Sequence, residues 1–258
     1  MAHGFEAWIG RSETAEDVVT PAPLAGLAAL LDHSAPQWGD VLPPLAHWLF
    51  CLPRIRHSDL GPDGHAKRGG FLPPIELPRR MWAGGRLVFH APLRVGASLR
   101  RVSTIKAITH KSGASGPLAF VAIEHLIYAD GVLAITEDQD IVYRDGAAAA
   151  PADADADPRA PLRRAAFSPE EPALFRFSAL TFNAHRIHYD AQYAREAEGY
   201  AALVVQGPFI ATALMHFALA DAPGAVRRFS FRARRALLVN EAADLCSDGA
   251  GRLWCRKA

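Results

Sequence analysis

The stretch "GPFIATALMHFALA", residues 207–220, decides how the chain is organised. It is almost wholly apolar, and Gly207 and Pro208 stand at its head. Proline is tolerated in a first helical turn, where its missing N–H costs no hydrogen bond. The run is too long for one strand and too short to span a bilayer, which needs ~20 apolar residues. It predicts a helix that is buried on all sides. Such a helix must be wrapped, and the segments after it supply the wrapping. "VRRFSFRARRALL" (226–238) mixes aromatic residues with arginine at strand-like spacing, and "ADLCSDGAGRLWCRKA" (243–258) gives a strand, a turn and a last strand.

The first half shows the same order. "TPAPLAGLAALLDH" (20–33) places Pro21 near its start and Leu24, Leu27, Leu30 and Leu31 at helical spacing. "PPLAHWLFCLP" (43–53) is a short apolar run suited to burial. A Gly- and Pro-dense loop, "GPDGHAKRGGFLPPIELPRRMWAGG" (61–85), follows; loops of that length are usually functional or disordered. Four strands come next: "GRLVFHAPL", "SLRRVSTIKAITHK", "LAFVAIEHLIYAD" and "GVLAITEDQDIVYR", with turns at "SGASGP" and "ADG". Val121, Ile123, His125 and Ile127 share one face of the third. The fold class predicted is α+β: two curved antiparallel sheets, each around a central helix, in the double hot-dog arrangement. The alternative is an α+β protein of unspecified topology.

The expected boundaries are a first half over 1–146, a linker over 147–170 and a second half over 171–258. The linker rests on "DGAAAAPADADADPRAPLRRAAF" (145–167), which has no apolar periodicity and is broken by Pro151, Pro158 and Pro161. "ALFRFSALTF" (173–182) alternates Phe175, Phe177 and Ala179 with Arg176 and Ser178 and predicts a strand; "YDAQYAREA" (189–197) predicts a short helix.

The 258 residues carry a net charge of +1, which gives no electrostatic ground for a nucleic-acid partner. No apolar run suggests a membrane span or a signal peptide. Cys51, Cys246 and Cys255 form no CxxC pair, which argues against a disulfide framework or thiolate zinc site and points to a reducing cytosol.

Chemistry concentrates in "TFNAHRIHYD" (181–190). His185 and His188, three apart, would share a helical face and could begin a metal site, but no third ligand is obvious. The stretch could equally be a polar turn whose side chains bond the backbone. As an acid/base site it has a histidine able to take and return a proton near neutrality, and Asn183, which can hold a water but cannot accept its proton. Gly207 heads the apolar helix, where free N–H groups carry partial positive charge and could polarise a thioester carbonyl; a glycine there could also serve close packing alone.

"FNAHRIHYD" followed by "GYAALVVQGPFIATAL" resembles the catalytic half of MaoC-like, type 2 enoyl-thioester hydratases and dehydratases. "KRGGFLPPIELPRRMWAGGRL" (67–87) resembles the branch whose N-terminal half is similar to the dehydratase domain of fungal fatty-acid synthase. The resemblance covers the chain from about Trp8 to Trp254. That branch includes hydratases of mesaconyl-C4-CoA and itaconyl-CoA and mitochondrial-type 3-hydroxyacyl-thioester dehydratases. The general pattern, Asp-x-Asn-Pro-aliphatic-His, lays His188 on the catalytic histidine and Ile187 on the aliphatic position. Arg186 stands at the proline, His185 at the asparagine and Asn183 at the catalytic aspartate. Gly207 matches the glycine whose N–H binds the thioester oxygen; Gln206 replaces the histidine before it, and Pro208 follows.

The resemblance implies reversible hydration of a 2-enoyl thioester with no metal, flavin or nicotinamide. Its expected partner is an acyl-CoA, best a small dicarboxylic one, with 3-hydroxyacyl-ACP dehydration or an inactive hot-dog binding subunit as alternatives. Arg186, Arg79 and Arg80 are candidates to hold a free carboxylate, since a guanidinium fork matches it bidentately; "LPRRMW" could also be a solvated turn. Relatives usually continue beyond "GRLWCRKA" with a further strand, so a bare sheet edge is expected here, either covered by a partner, with a homodimer the expected one, or leaving the second half less stable.

Overall fold

The computed structural model describes residues 4–113, 116–145, 160–221 and 224–257. The first half opens with β1 (Ser12–Val18) and α1 (Pro21–Leu30), and continues with β2 (Arg79–Phe89), β3 (Ser98–Gly113), β4 (Gly116–Ala129) and β5 (Val132–Arg144). The second contains β6 (Arg163–Phe167), α2 (Glu171–Leu180), α3 (Ala191–Glu196), α4 (Gly207–Asp221), β7 (Arg228–Arg232), β8 (Ala243–Ser247) and β9 (Leu253–Lys257). A six-stranded antiparallel sheet has the order β1-β3-β4-β5-β2-β7, and a three-stranded sheet the order β6-β8-β9. This is the double hot-dog arrangement.

Alternation builds the large sheet. On β4, Ala119, Val121, Ile123, His125 and Ile127 are all buried, as the period of two requires. The same face meets α1 through Leu24 and Leu27, which pack with Leu87, Leu99, Ile127 and Ile135. Burial of each such side chain contributes roughly 1.5–3 kcal/mol. α4 serves both halves. Its Ala211 and Met215 reach the core under the large sheet, Phe209 packs with Leu174 and Phe177 of α2, and Leu214 packs on Leu245 of β8. A helix packed by both halves has little room for a polar face, which is why 207–220 is almost wholly apolar.

The structure corrects several expectations. "ALFRFSALTF" is not a strand but most of α2: Leu174, Phe177 and Ser178 are buried at helical spacing, while Phe175 of the alternating set is 67% exposed. Over ten residues the two periods overlapped, and Pro172 in the first turn marked the helix start. "TFNAHRIHYD" therefore leaves a helix end, not a strand end. The expected linker over 147–170 holds β6 at Arg163–Phe167, paired with β8 from Arg163↔Ser247 to Phe167↔Ala243; residues 146–159 lie outside the described residues. β1 has a largely exposed pattern and no apolar alternation, so nothing in its sequence announced it.

The end of the long loop, Arg79 to Gly85, is also strand. Gly84 and Gly85 lie where β7 of the second half pairs with β2, with Gly84 opposite Arg232 and Gly85 opposite Phe231. A Cβ on Gly85 would stand 2.9 Å from the Asp138 carbonyl, and one on Gly84 would strike the Phe231 carbonyl. The glycines read as the end of a loop are the seam between the halves.

Candidate active site

Local structure assembles the site in three steps. First, α2 ends when Thr181 Oγ1 donates to the Phe177 carbonyl, and Phe182 takes φ +50° to turn the chain. Asn183 then makes a short side-chain turn: its Oδ1 accepts the backbone N–H of His185 at 3.0 Å. A single 3-10 turn, Arg186–His188, carries the catalytic candidates into the interior. Second, Asp190 caps α3 by accepting from the Tyr193 N–H at 2.9 Å, which fixes the chain on the far side of the turn. Third, the turn is laced to the segment before α4: Val204 N–H donates to the Ile187 carbonyl at 2.9 Å, and His188 Nδ1 donates to the Val204 carbonyl at 2.7 Å.

That last bond sets the chemistry. A carbonyl only accepts, so Nδ1 of His188 carries the hydrogen and Nε2 keeps its lone pair. Burial, with the charge of His65 adding to it and the Val204 bond opposing, pulls the His188 pKa down to about 4. The imidazole is neutral at pH 7, as a base must be. Gly207, three residues past Val204, opens α4; a Cβ there would meet nothing within 4 Å. A helix start carries free N–H groups with partial positive charge, a fitting feature for holding a developing oxyanion. His188 and Gly207 line a cleft of about 3330 Å³ that runs between the two halves.

Other expected site residues take different places. Gln206 is 1% exposed, and its amide N–H groups go to the Leu174 carbonyl at 2.9 Å and Ser178 Oγ at 2.8 Å. It ties the mouth of α4 to α2. Pro208, in the first turn, lines the cleft. Arg186 is drawn back to its own turn: Nε and Nη2 donate to Asp190 Oδ2 at 3.1 and 2.7 Å, Nη1 donates to the Pro62 carbonyl at 3.0 Å, and the guanidinium lies over the Tyr193 ring. Arg79 donates from Nε to Glu198 at 3.0 Å. Arg80 lines the cleft near Tyr143 and His65; burial raises the Tyr143 pKa against the pull of Arg80, whereas burial and Arg80 together act to lower that of His65. Asn183 lines the cleft too, its amide nitrogen making no protein hydrogen bond among the described residues.

Sequence reasoning missed the contribution of the first-half loop. Its residues 61–66 dock on the 183–186 turn. Arg186 N–H donates to the Asp63 carbonyl at 3.0 Å, and Gly64, at φ +86°, sits so close to the Ala184 carbonyl that any Cβ would collide. The docking brings the Asp63–His65 pair into the cleft, with the His65 ring 4.1 Å from that of His185. His185, 7% exposed, is held by burial and its two histidine neighbours at a pKa of about 2, so it stays neutral. "DGH" inside a long Gly-rich loop was the available signal; which turn it would meet was not legible.

Residues 45–239 match the family of hydroxyacyl-thioester dehydratases type 2. The chain belongs to this family. Over 235 residues it is 49% identical to mesaconyl-C(4)-CoA hydratase of Chloroflexus aurantiacus, covering 90% of this chain and 84% of that protein. It is 30% identical to the mitochondrial hydroxyacyl-thioester dehydratase type 2 of Schizosaccharomyces pombe, over 93% of this chain and 91% of the relative. The crystal structure of HtdX from Mycobacterium tuberculosis superposes with a TM-score of 0.69 at 18% identity, covering 96% of this chain and 94% of the other; that likeness is one of fold. No described helix is long and apolar enough to cross a membrane.

Proposed function

We propose that this protein is a hydro-lyase that reversibly adds water to the double bond of a small dicarboxylic 2-enoyl-CoA, of the mesaconyl-C4-CoA or itaconyl-CoA kind. One observation carries the reading: His188, neutral and with a bare Nε2, is pinned at 2.7 Å to the carbonyl of Val204, three residues before Gly207 opens α4. The base and the oxyanion site are thereby set on one short stitched segment. In hydration His188 Nε2 takes a proton from water as the oxygen bonds to the β-carbon. The displaced π pair moves to the thioester oxygen, where the Gly207 N–H holds the enolate. Asn183 steadies the water through its amide. Mutagenesis of comparable oxyanion donors and general bases gives factors of about 10²–10⁴ each.

The dicarboxylic preference rests on Arg80 together with the 49% identity to a mesaconyl-C(4)-CoA hydratase. Of the three candidate arginines, Arg79 and Arg186 are paired with Glu198 and Asp190, whereas Arg80 lines the cleft. Dehydration of a 3-hydroxyacyl thioester on an acyl carrier protein is the second reading, supported by the 30% identity to a mitochondrial dehydratase. A cytoplasmic homodimer completes the proposal, and the mass of the native particle tests its second half. The deciding experiment incubates purified protein with mesaconyl-C4-, itaconyl- and crotonyl-CoA and a crotonylated carrier protein, and follows the gain of one water by mass. Turnover of none of them would overturn the reading, and turnover of the carrier-bound substrate alone would favour the second.

A further inference from the structure

Hydration needs a donor for the α-proton as well as a base for the water. Water surrenders a proton as its oxygen bonds the β-carbon, and the α-carbon must gain one. Asn183 cannot carry a proton. A second titratable couple does stand in the same cleft. Asp63 Oδ2 accepts from His65 Nδ1 at 2.9 Å, and Asp63 Oδ1 accepts the His65 backbone N–H at 3.0 Å. The carboxylate only accepts, so Nδ1 carries the hydrogen and Nε2 is the working atom. The couple is held against the histidine turn by backbone: the Asp63 and Pro62 carbonyls receive the N–H and the guanidinium of Arg186, each at 3.0 Å, and Gly64 leaves no space between. The His65 ring lies 4.1 Å from His185, which meets His188 edge-on at 5.4 Å.

The groups facing His65 are Asp63 and Arg68 of its own loop, Arg80 of β2, and His185 and His188 of the turn. Burial and the two arginines disfavour its cation, and Asp63 favours it; the net effect is a pKa below the ordinary histidine value. Of the three imidazoles clustered at the turn, His65, His185 and His188, His65 is the one hydrogen-bonded to a carboxylate. It is therefore the best place for the site to hold a proton.

We propose that His65, held by Asp63, is a second acid–base residue of the site and delivers the α-proton in hydration. The proposal rests on the hydratase reading. The productive state has His65 as an imidazolium and His188 neutral. An O–H bond of water breaks and its proton goes to His188 Nε2 while the C–O bond forms. The π pair moves to the thioester oxygen. The carbonyl then re-forms as the α-carbon takes the Nε2 proton of His65. One water has been added and one proton has passed from His65 to His188. Exchange with solvent on product release restores the starting state. Dehydration runs in reverse, with His65 as the base for the α-proton and His188 as the acid for the departing hydroxyl. The carboxylate that Asn183 cannot supply thus comes from the other half of the molecule, acting through a histidine.

The test compares wild type with His65→Gln and Asp63→Asn by enoyl-CoA hydration across pH, with thermal melts as the control for folding. His65→Gln should lower kcat by about 10²–10⁴-fold, as removal of a positioned acid does. KM should stay within a few-fold, the melt should be unchanged, and the alkaline limb of the kcat profile should disappear. Asp63→Asn should move that limb to lower pH, because the imidazolium loses its carboxylate. Wild-type kcat with an intact alkaline limb in His65→Gln overturns the proposal. If His65→Gln does not fold, Asp63→Asn decides: a shifted limb supports the proposal and an unshifted one overturns it. A wild-type protein inactive on every thioester overturns the hydratase reading, and this proposal with it.

Discussion

The Nδ1 of His188 donates a hydrogen bond of 2.7 Å to the carbonyl of Val204, and with that one bond the backbone chooses the tautomer of the imidazole. The 3-10 turn that carries His188 and the segment leading into α4 become one piece, since Val204 N–H answers to the Ile187 carbonyl at 2.9 Å and Val205 N–H to Leu237 at 2.9 Å. In the proposed reaction the base and the oxyanion donor would ride on the same short strip and need little reorganisation when charge develops, the condition under which such donors are most effective.

Removal of the imidazole should abolish most activity and leave the fold. His188→Gln keeps a hydrogen-bonding side chain near Val204 but offers no base. A fall in kcat of about 10²–10⁴-fold is expected, with KM little changed. In wild type the acid limb of kcat/KM should reflect protonation of His188, with activity falling as pH drops toward its pKa of about 4. A pH–rate profile on the two proteins checks both statements.

Gly207 separates catalysis from packing. A Cβ there meets no atom within 4 Å, so Gly207→Ala should fold normally and gain up to about 1 kcal/mol from helix propensity. Its methyl group enters the cleft where the thioester oxygen must approach. The expected outcome is a loss of about tenfold or more in kcat/KM beside an equal or higher melting temperature, read by steady-state kinetics and calorimetry.

The arginines can be sorted by substrate. Arg80→Gln should raise KM for mesaconyl-C4-CoA by about tenfold or more and leave crotonyl-CoA, which has no free carboxylate, within a few-fold. Arg79→Gln should do the opposite of discriminating: it removes the partner of the buried Glu198 carboxylate, so it should lower stability without selecting between the two thioesters. Kinetics on the two substrates, with a melt of each variant, distinguishes these patterns.

Acid should destabilise the fold through its buried histidines. His185 and His188 have folded-state pKa values of about 2 and about 4, below the unfolded value of about 6.5. Below pH 6.5 the unfolded chain binds protons that the folded one refuses, so stability is full above that pH and is lost as pH falls toward the folded values. The slope is up to about 1.4 kcal/mol per pH unit for each histidine. Urea unfolding between pH 7 and 4.5 should show it, and His188→Gln should flatten it.

By itself the sequence determined the largely apolar helix at 207–220, the four long strands of the first half and the α+β class, because each rests on a long apolar run or a single dominant period. It also singled out His188 and Gly207 as candidates, because the pattern that points to them is local in the chain. Where two periods overlapped within ten residues, at α2, it misled, and for β1 and β6 it had no apolar alternation to offer. Tertiary structure alone decided that Gly84 and Gly85 join the halves, that Arg79 and Arg186 answer to carboxylates of this chain, and that Asp63 and His65 stand beside a turn some 120 residues away, as the Pro62–Arg186 bond at a separation of 124 residues records. Those relations depend on which backbone surfaces meet, and contacts between distant segments leave no periodicity in the chain for a reader to find.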